Sequence, residues 1–422
     1  VAKSNTKTGG RVATTGVIPG RWALSVGNPE SPTPEGFSWT LLSDVARLES
    51  GHTPSRKKDE YWNGEIPWIG IRDATENHGR VITSTKQWIS EEGLNNSSAR
   101  LLPADTVCLS RTASVGYVIT MGVPMATSQD FINWVCGPQL SAKYLHYILM
   151  SEQEAIRRFA HGTTHQTVYF PEAKAFHVCL PSRTEQDSIT AVLSALDEKI
   201  ATNEHIAKTI GELSSVTYSS ALYNSPDSFT ETPLSDTSDF INGRAFTKDA
   251  TGSGRMVIRI AEMNSGPGKS TVYNEIEVPE KHLANPGDIL FSWSGSLIAQ
   301  RWYRPQGIIN QHIFKVVPKS GHPVWLSFEL VKRKITDFRS IAADKATTMG
   351  HIQRRHLDET VPVPNAEIIS KLDASLGPLW DRALVAEQEG LKLAELRDTL
   401  LPQLMSGKLR VKDAERIVED NV

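Results

Sequence analysis

Cysteine is scarce in this chain. Three stand among 422 residues (Cys108, Cys136 and Cys179), far apart and without a CxxC spacing. That excludes a disulfide framework and a paired-cysteine zinc site, and it points to a reducing compartment. A basic excess is missing too, since 45 Lys and Arg stand against 48 Asp and Glu. The balance excludes a surface coated in cations for indiscriminate polyanion binding, but leaves room for local basic faces. No apolar run approaches the ~18 residues that span a bilayer. Residues 1–36 hold six Gly and four Pro with a scatter of Ser and Thr, and their one apolar knot, Trp22-Ala23-Leu24, is too short for a signal-peptide core. They read as a mobile leader, and the chain as cytoplasmic.

Catalytic signatures are absent as well. No GxGxxG follows a strand, so there is no dinucleotide or methyl-donor fingerprint. Gly266-Pro-Gly-Lys-Ser270 resembles the end of a phosphate loop, but Met263 stands where the first glycine is required. The following Thr271–Val278 reads as extended, so no helix N-terminus would cradle a phosphate. The Asn/Asp-Pro-Pro-aromatic tetrapeptide of amino-methyltransferases is missing, and Pro226-Asp227 has no Glu-x-Lys downstream. His161 and His165 flank the loop-like Gly162-Thr163-Thr164 with no further ligand to complete a metal site. Cys179 sits among alternating apolar residues and reads as core filler. The expectation is a non-enzyme with no metal site.

What is present is a repeat. Leu102-Pro-Ala-Asp105 is answered by Asn285-Pro-Gly-Asp288, and Val178-Cys-Leu-Pro181 by Val361-Pro-Val-Pro364, both at an offset of 183. Gln129 and its apolar run match Gln311 and its run at 182; Thr163-Thr164 match Thr347-Thr348 at 184. A unit of that length is a domain with its own core rather than a solenoid turn. Each copy begins β-rich: Ile66–Arg72, Thr106–Ser110, Val115–Thr120 and Ile132–Val135 read as strands, answered by Met256–Ile260, Asp288–Phe291, Leu297–Gln300 and Ile313–Val317. A helix near Ala142–Arg158, matched by Val324–Arg339, interrupts the strands.

Each copy ends in a long helix. Ile189, Leu193, Leu196, Ile200, Asn203, Ala207 and Ile210 step by alternating fours and threes, the heptad stripe of a helix packed along another. Leu372, Leu376, Leu379, Ala383, Ala386, Gly390 and Leu393 repeat that seam at an offset of 183. Small residues in the second helix allow close approach, Asn203 is placed to set the register, and Gly377-Pro378 predicts a kink or a restart. The fold class is therefore α+β. Two mixed α/β domains in tandem are joined by two long antiparallel coiled-coil-like helices, with the heads at opposite ends. The boundaries are 1–36 leader, 37–182 first head, 183–225 spacer helix, 226–364 second head, 365–411 second spacer helix and 412–422 tail.

The remaining signal is a binding surface. Between Lys332 and His356 seven Lys and Arg face two Asp, in a stretch that also holds Thr347, Thr348, His351 and Gln353. Arg56-Lys57-Lys58 follows a Gly-His-Thr-Pro-Ser turn, and Trp62, Trp68, Trp293 and Trp302 lie close to polar loops. Cations that reach phosphates, beside Arg, Gln, Asn and Thr that read base edges, suit a DNA-recognition face. A solvated charged face over core tryptophans is the bland alternative.

These stretches carry a resemblance. GHTPSRKKDEYWNGEIPWIGIRD (Gly51–Asp73), GDILFSWSGS (Gly287–Ser296), NQHIFKVVP (Asn310–Pro318) and ATTMGHI (Ala346–Ile352) are similar to the specificity (S) subunits of type I restriction-modification systems. So are LSALDEKI (Leu193–Ile200) and TLLPQLMSGKLRV (Thr399–Val411), in the family's order across about residues 37–411. The resemblance implies two target recognition domains, each reading one half of a split double-stranded DNA sequence. It makes the helices a ruler for the gap and a dock for modification (M) subunits, two of them. It implies no cofactor in this chain: M partners bind S-adenosylmethionine and methylate adenine, and restriction (R) partners use ATP and Mg. DNA contacts are expected from Arg56, Lys58, Arg72, Arg111, Gln129, Thr164, His165 and Gln166 in the first head. In the second they are expected from Arg259, Asn264, Trp293, Ser294, Gln311, Thr348, His351 and Arg354. The alternatives are the specificity subunit of a type II enzyme with fused cleavage and methylation domains, and an interaction scaffold that binds no DNA.

Overall fold

The computed structural model describes residues 16–112, 114–160, 166–248, 250–344 and 352–421, without the side chains of 341–344. It divides into two compact units, Val1–Asp197 with Glu395–Val422, and Glu198–Ala394. Among the described residues no helix is long and apolar enough to cross a membrane.

Both units are built on one plan. In the first, Phe131–Cys136 pairs antiparallel with Ala46–Ser50 on one side and Val107–Ser110 on the other, and Val118–Met121 and Arg80–Ile82 extend the sheet. In the second, Ile313–Pro318 pairs antiparallel with Ser238–Asn242 and Ile289–Ser292, and Ala299–Arg301 follows. The registers agree. Ile132 faces Ser50 and Phe131 faces Ser110, while Phe314 faces Asn242 and Ile313 faces Ser292. Burial holds this register, because a slip of one residue turns every side chain to the opposite face. Phe131, Ile132 and Trp134 are buried, and Asn133 between them donates through its amide to Thr127 Oγ1 at 2.8 Å.

A smaller sheet lies beside each large one. Trp62–Ile69 pairs parallel with Ala126–Thr127 and antiparallel with Gln87–Ile89. Its counterpart Arg255–Ile258 pairs parallel with Gly307–Ile309 and antiparallel with Tyr273–Asn274. Helices Ala142–Ser151 and Gln153–Phe159 cover the first unit, and Val324–Asp344 covers the second. In the latter Leu326, Leu330, Val331, Ile335 and Phe338 recur at helical spacing and are buried. Two expected strands begin later than the apolar runs suggest, at Val118 and Ala299. In the first case Gly116, at φ +95°, holds a turn ahead of the strand.

The long helices run Arg183–Asn224 and Ala366–Met405. They are not a body apart from the heads, because the division between units falls within each of them, after Asp197 and after Ala394. Ile189, Leu193 and Leu196 are buried in the first unit; Asn203 and Ile210 are buried in the second, and Ile200 and Ala207 are half-buried. On the other helix Leu372, Leu376, Ala383, Ala386 and Leu393 are buried, with Leu379 and Gly390 half-buried. Within the second unit Lys199 pairs with Glu389 at 3.3 Å, and a Cβ on Gly390 would lie 3.9 Å from Asn203 Cβ. Ala207 and Ile210 line one cavity with Trp380 and Ala383. Rising numbers on one helix meet falling numbers on the other, so this stretch is antiparallel. Part of the stripe serves the head instead: Leu372, Leu376 and Trp380 join Tyr218 and Phe291 in one core. No restart occurs at Gly377-Pro378, and the helix is continuous there. Pro378 gives up one backbone bond, a loss of about 3 kcal/mol that burial of the flanking Leu376 and Trp380 offsets.

The expected leader needs correction over residues 16–36; residues 1–15 lie outside the described residues. Ile18–Pro19 pairs with Leu24–Val26, which pairs in turn with Phe176–Leu180. Ala23, Leu24 and Val26 are buried, and the buried Glu152 carboxylate accepts from the backbone N–H groups of Arg21, Trp22, Ala23 and Leu24. Composition misled because Gly and Pro mark turns as readily as disorder. At the other end Val411–Asn421 is a helix with Ala414 buried.

Candidate nucleic-acid interface

The same backbone frame ends each large sheet. Gly51 follows strand Ala46–Ser50, and a Cβ there would stand 2.1 Å from Ser128 O. Gly243 follows Ser238–Asn242, and a Cβ there would stand 2.1 Å from Asn310 O. Only glycine permits so close a backbone approach. The next residue, His52 or Arg244, donates its N–H to Thr127 O or Ile309 O. Opposite, Arg111 N–H donates to Asp130 O at 2.8 Å, and Trp293 N–H to His312 O at 3.0 Å. The loops carrying Gln129 and Gln311 lie between these anchors, and both glutamines are exposed.

In the first head several expected residues meet at this frame. Gln129 Oε1 accepts from Thr53 Oγ1 at 2.5 Å. Arg56 lies 3.7 Å over the Trp62 ring and donates to Gln87 Oε1 at 2.9 Å. Trp62 and Trp68 in turn donate to the backbone carbonyls of Ser55 and His52, so the 51–58 loop is pinned to an aromatic platform. Lys58 donates to Tyr61 Oη at 2.9 Å, and that bond raises its pKa above the ordinary lysine value. Arg72 and Gln166 are exposed. Arg111 instead turns inward, donating to Gln129 O at 3.0 Å and reaching Val168 O, with Phe170 under its guanidinium at 5.1 Å. Burial lowers its pKa, and Asp130 works against that shift. It braces the Gln129 loop. Thr164 and His165 lie outside the described residues.

In the second head Trp293 takes the place of Arg111. Its ring lies 4.8 Å from His312, and its indole N–H donates to Asn242 Oδ1 at 2.8 Å. Ser294 is half-buried; Asn264 and Arg354 are exposed. Arg259 is occupied, with Nε donating to Glu262 Oε2 at 3.0 Å and Nη2 to Ser270 O at 2.6 Å. Burial pushes Glu262 up, but Arg259 and Thr271 hold its carboxyl below the ordinary range. Removing Arg259 would strand a buried carboxylate, so it acts on the fold of the loop. The histidine and threonine expected here, Thr348 and His351, lie outside the described residues.

The residues that sequence reasoning missed are His52, Thr53, Arg244 and His312. Matched glycines at 51 and 243 were the available signal. Among the described residues no group of three or more His, Cys, Asp or Glu is placed to hold a metal ion.

Residues 34–212 match the family model described as the type I restriction modification DNA specificity domain. The chain is similar to the type I restriction enzyme MjaIX specificity subunit of Methanocaldococcus jannaschii, 22% identical over 419 residues, which cover 90% of this chain and 95% of that protein. It is also similar to the type I restriction enzyme EcoR124I/EcoR124II specificity subunit of Escherichia coli, 29% identical over 167 residues, which cover 38% of this chain and 40% of that one. Among solved structures, the S subunit of a type I restriction-modification system from M. genitalium superposes with a TM-score of 0.56 at 16% identity, covering 89% of this chain and 97% of that one. At that identity the likeness speaks to the fold.

Proposed function

We propose that this chain is the DNA-specificity subunit of a type I restriction-modification system. The observation that carries this is the duplicated frame: two heads with equal strand registers each present an exposed glutamine between the same backbone anchors. Similarity to type I specificity subunits along 90% of the chain supports it.

In this reading residues 37–182 and 226–364 are the two target recognition domains, each taking one half of a bipartite site. DNA contacts come from Arg56, Lys58, Arg72 and Gln166 with Gln129 in the first, and from Arg244, Asn264, Ser294 and Arg354 with Gln311 in the second. Cations reach phosphates and fix orientation, while glutamine amides address base edges in the major groove. Helices of 42 and 40 residues set the gap between half-sites, each reaching about 60 Å at 1.5 Å per residue. Methyl transfer and cleavage fall to M and R partners, two M subunits docking on one chain.

Methylome sequencing of cells expressing this chain with its M partner tests the reading. The expected result is adenine methylation at one bipartite motif with a fixed unspecified gap. Absence of any motif, with a soluble M–S complex in hand, would overturn it.

A further inference from the structure

The two glutamines sit at one place in the frame, but their neighbours differ. Ser50-Gly51-His52-Thr53 aligns with Asn242-Gly243-Arg244-Ala245 at an offset of 192, and Gln129 with Gln311 at 182. Strand pairing confirms both offsets, because Ser50 faces Ile132 as Asn242 faces Phe314. Thr53 therefore corresponds to Ala245.

Thr53 Oγ1 lies 2.5 Å from Gln129 Oε1. An amide has one accepting and one donating end, and a hydroxyl can engage either. Thr53 takes one hydrogen-bonding position on the Gln129 amide and so sets the direction in which the amide points. Ala245 has no hydroxyl, and Gln311 is exposed, with no side-chain partner among the described residues. Among the described residues no side chain sets the direction of its amide. A glutamine reads adenine by donating to N7 while accepting from N6, which needs both ends at once.

We infer that the residue at 53 or 245 decides what the frame glutamine can read: Gln311 turns both ends of its amide onto an adenine edge, while Gln129 reads in the one direction that Thr53 sets. The inference rests on the DNA-specificity reading above. It makes Thr53 a positioning residue for specificity and predicts that the two heads read unlike half-sites.

The test is methylation of a randomised bipartite-site library by the M–S complex carrying Thr53→Val, Thr53→Ser or Ala245→Thr. Thr53→Val keeps the volume and removes the hydroxyl. It should change preference toward adenine by about 10-fold at one position of the first half-site, leaving the second half-site as it was. Thr53→Ser should restore the wild-type profile. Ala245→Thr should cost about 10-fold of adenine preference at one position of the second half-site. An unchanged first half-site in Thr53→Val, or equal loss at every position, overturns the inference. If the wild-type complex yields no bipartite motif, the underlying functional reading fails instead. Should Thr53→Val fail to assemble with M, Ala245→Thr decides alone.

Discussion

Arg301, on the last strand of the second unit's large sheet, donates through Nε to Glu387 Oε2 of the second long helix at 3.0 Å, its guanidinium 4.3 Å over the Trp380 ring. A further bond to Trp380 O at 2.8 Å completes the clamp. Burial lowers the pKa of Arg301 and raises that of Glu387, and their mutual attraction works against both shifts. Removing one partner leaves an uncompensated buried charge, whereas replacing both with apolar groups does not. Arg301→Met should cost about 3 kcal/mol in the unfolding of the second unit. The double variant Arg301→Met, Glu387→Leu should recover most of it. Equal losses in single and double variants would show that the clamp holds by packing alone.

A pH dependence follows from the same pair. Without Arg301, the Glu387 carboxyl keeps its burial and loses the attraction that opposed it, so its pKa rises further. A raised carboxyl favours the folded state while protonated, and that contribution is lost as pH rises through the folded pKa. The Arg301→Met penalty should therefore be largest at neutral pH and shrink on acidification. Denaturant titrations across that range read the trend; a penalty independent of pH contradicts it.

His146 gives the first unit the opposite slope. Burial pushes its pKa down to about 4, and its Nδ1 lies 2.9 Å from Thr120 Oγ1. The unfolded chain binds this proton near 6.5 and the folded chain only near 4, so stability falls as pH drops between those values. Up to about 3 kcal/mol is at stake. Amide exchange in Val118–Met121 should accelerate over that window, and His146→Gln should flatten the response. An equally steep response in His146→Gln assigns the effect to other groups.

Asn203 is buried in the helix seam opposite Gly390, and among the described residues neither of its amide atoms has a hydrogen-bond partner. An unsatisfied buried amide costs about 1–3 kcal/mol, while an apolar side chain of similar volume escapes that cost. Asn203→Leu should raise the denaturation midpoint of the second unit. A lower midpoint would mean that water or a partner satisfies the amide in solution.

The purified chain alone should neither methylate nor cleave DNA, because the sequence carries no methyl-donor loop, catalytic tetrapeptide or nuclease triad. Adding M subunit should restore methylation. Radiolabelled methyl transfer to DNA by the isolated chain, with M shown absent by mass spectrometry, would refute the division of labour.

Much of the architecture was legible in the residues. Matched apolar runs around Gln129 and Gln311 announced two equal domains, because a buried strand must carry apolar side chains wherever it occurs. The heptad stripe announced the long helices for the same reason, since burial along one face repeats every three or four residues. Less legible was where the stripe would be spent. Leu372 and Leu376 lie on it, yet they complete the second head's core with Tyr218, which no seam count includes. Arg259 and Arg111 looked like ligands for DNA because composition reports charge but not direction; both are turned onto groups of their own head.

The sequence by itself determined the duplication, the strand and helix periods and the supply of cations and amides near the loops, since each of these is a local pattern set by which side chains a strand or helix must bury. Only the tertiary structure decided that Glu152 holds the backbone of Arg21–Leu24 across some 130 residues of chain, that Arg111 braces a loop, and that Thr53 meets Gln129 at a separation of 76. Those pairings depend on where distant backbone segments come to lie, and packing of the whole head sets that position to within the length of a hydrogen bond.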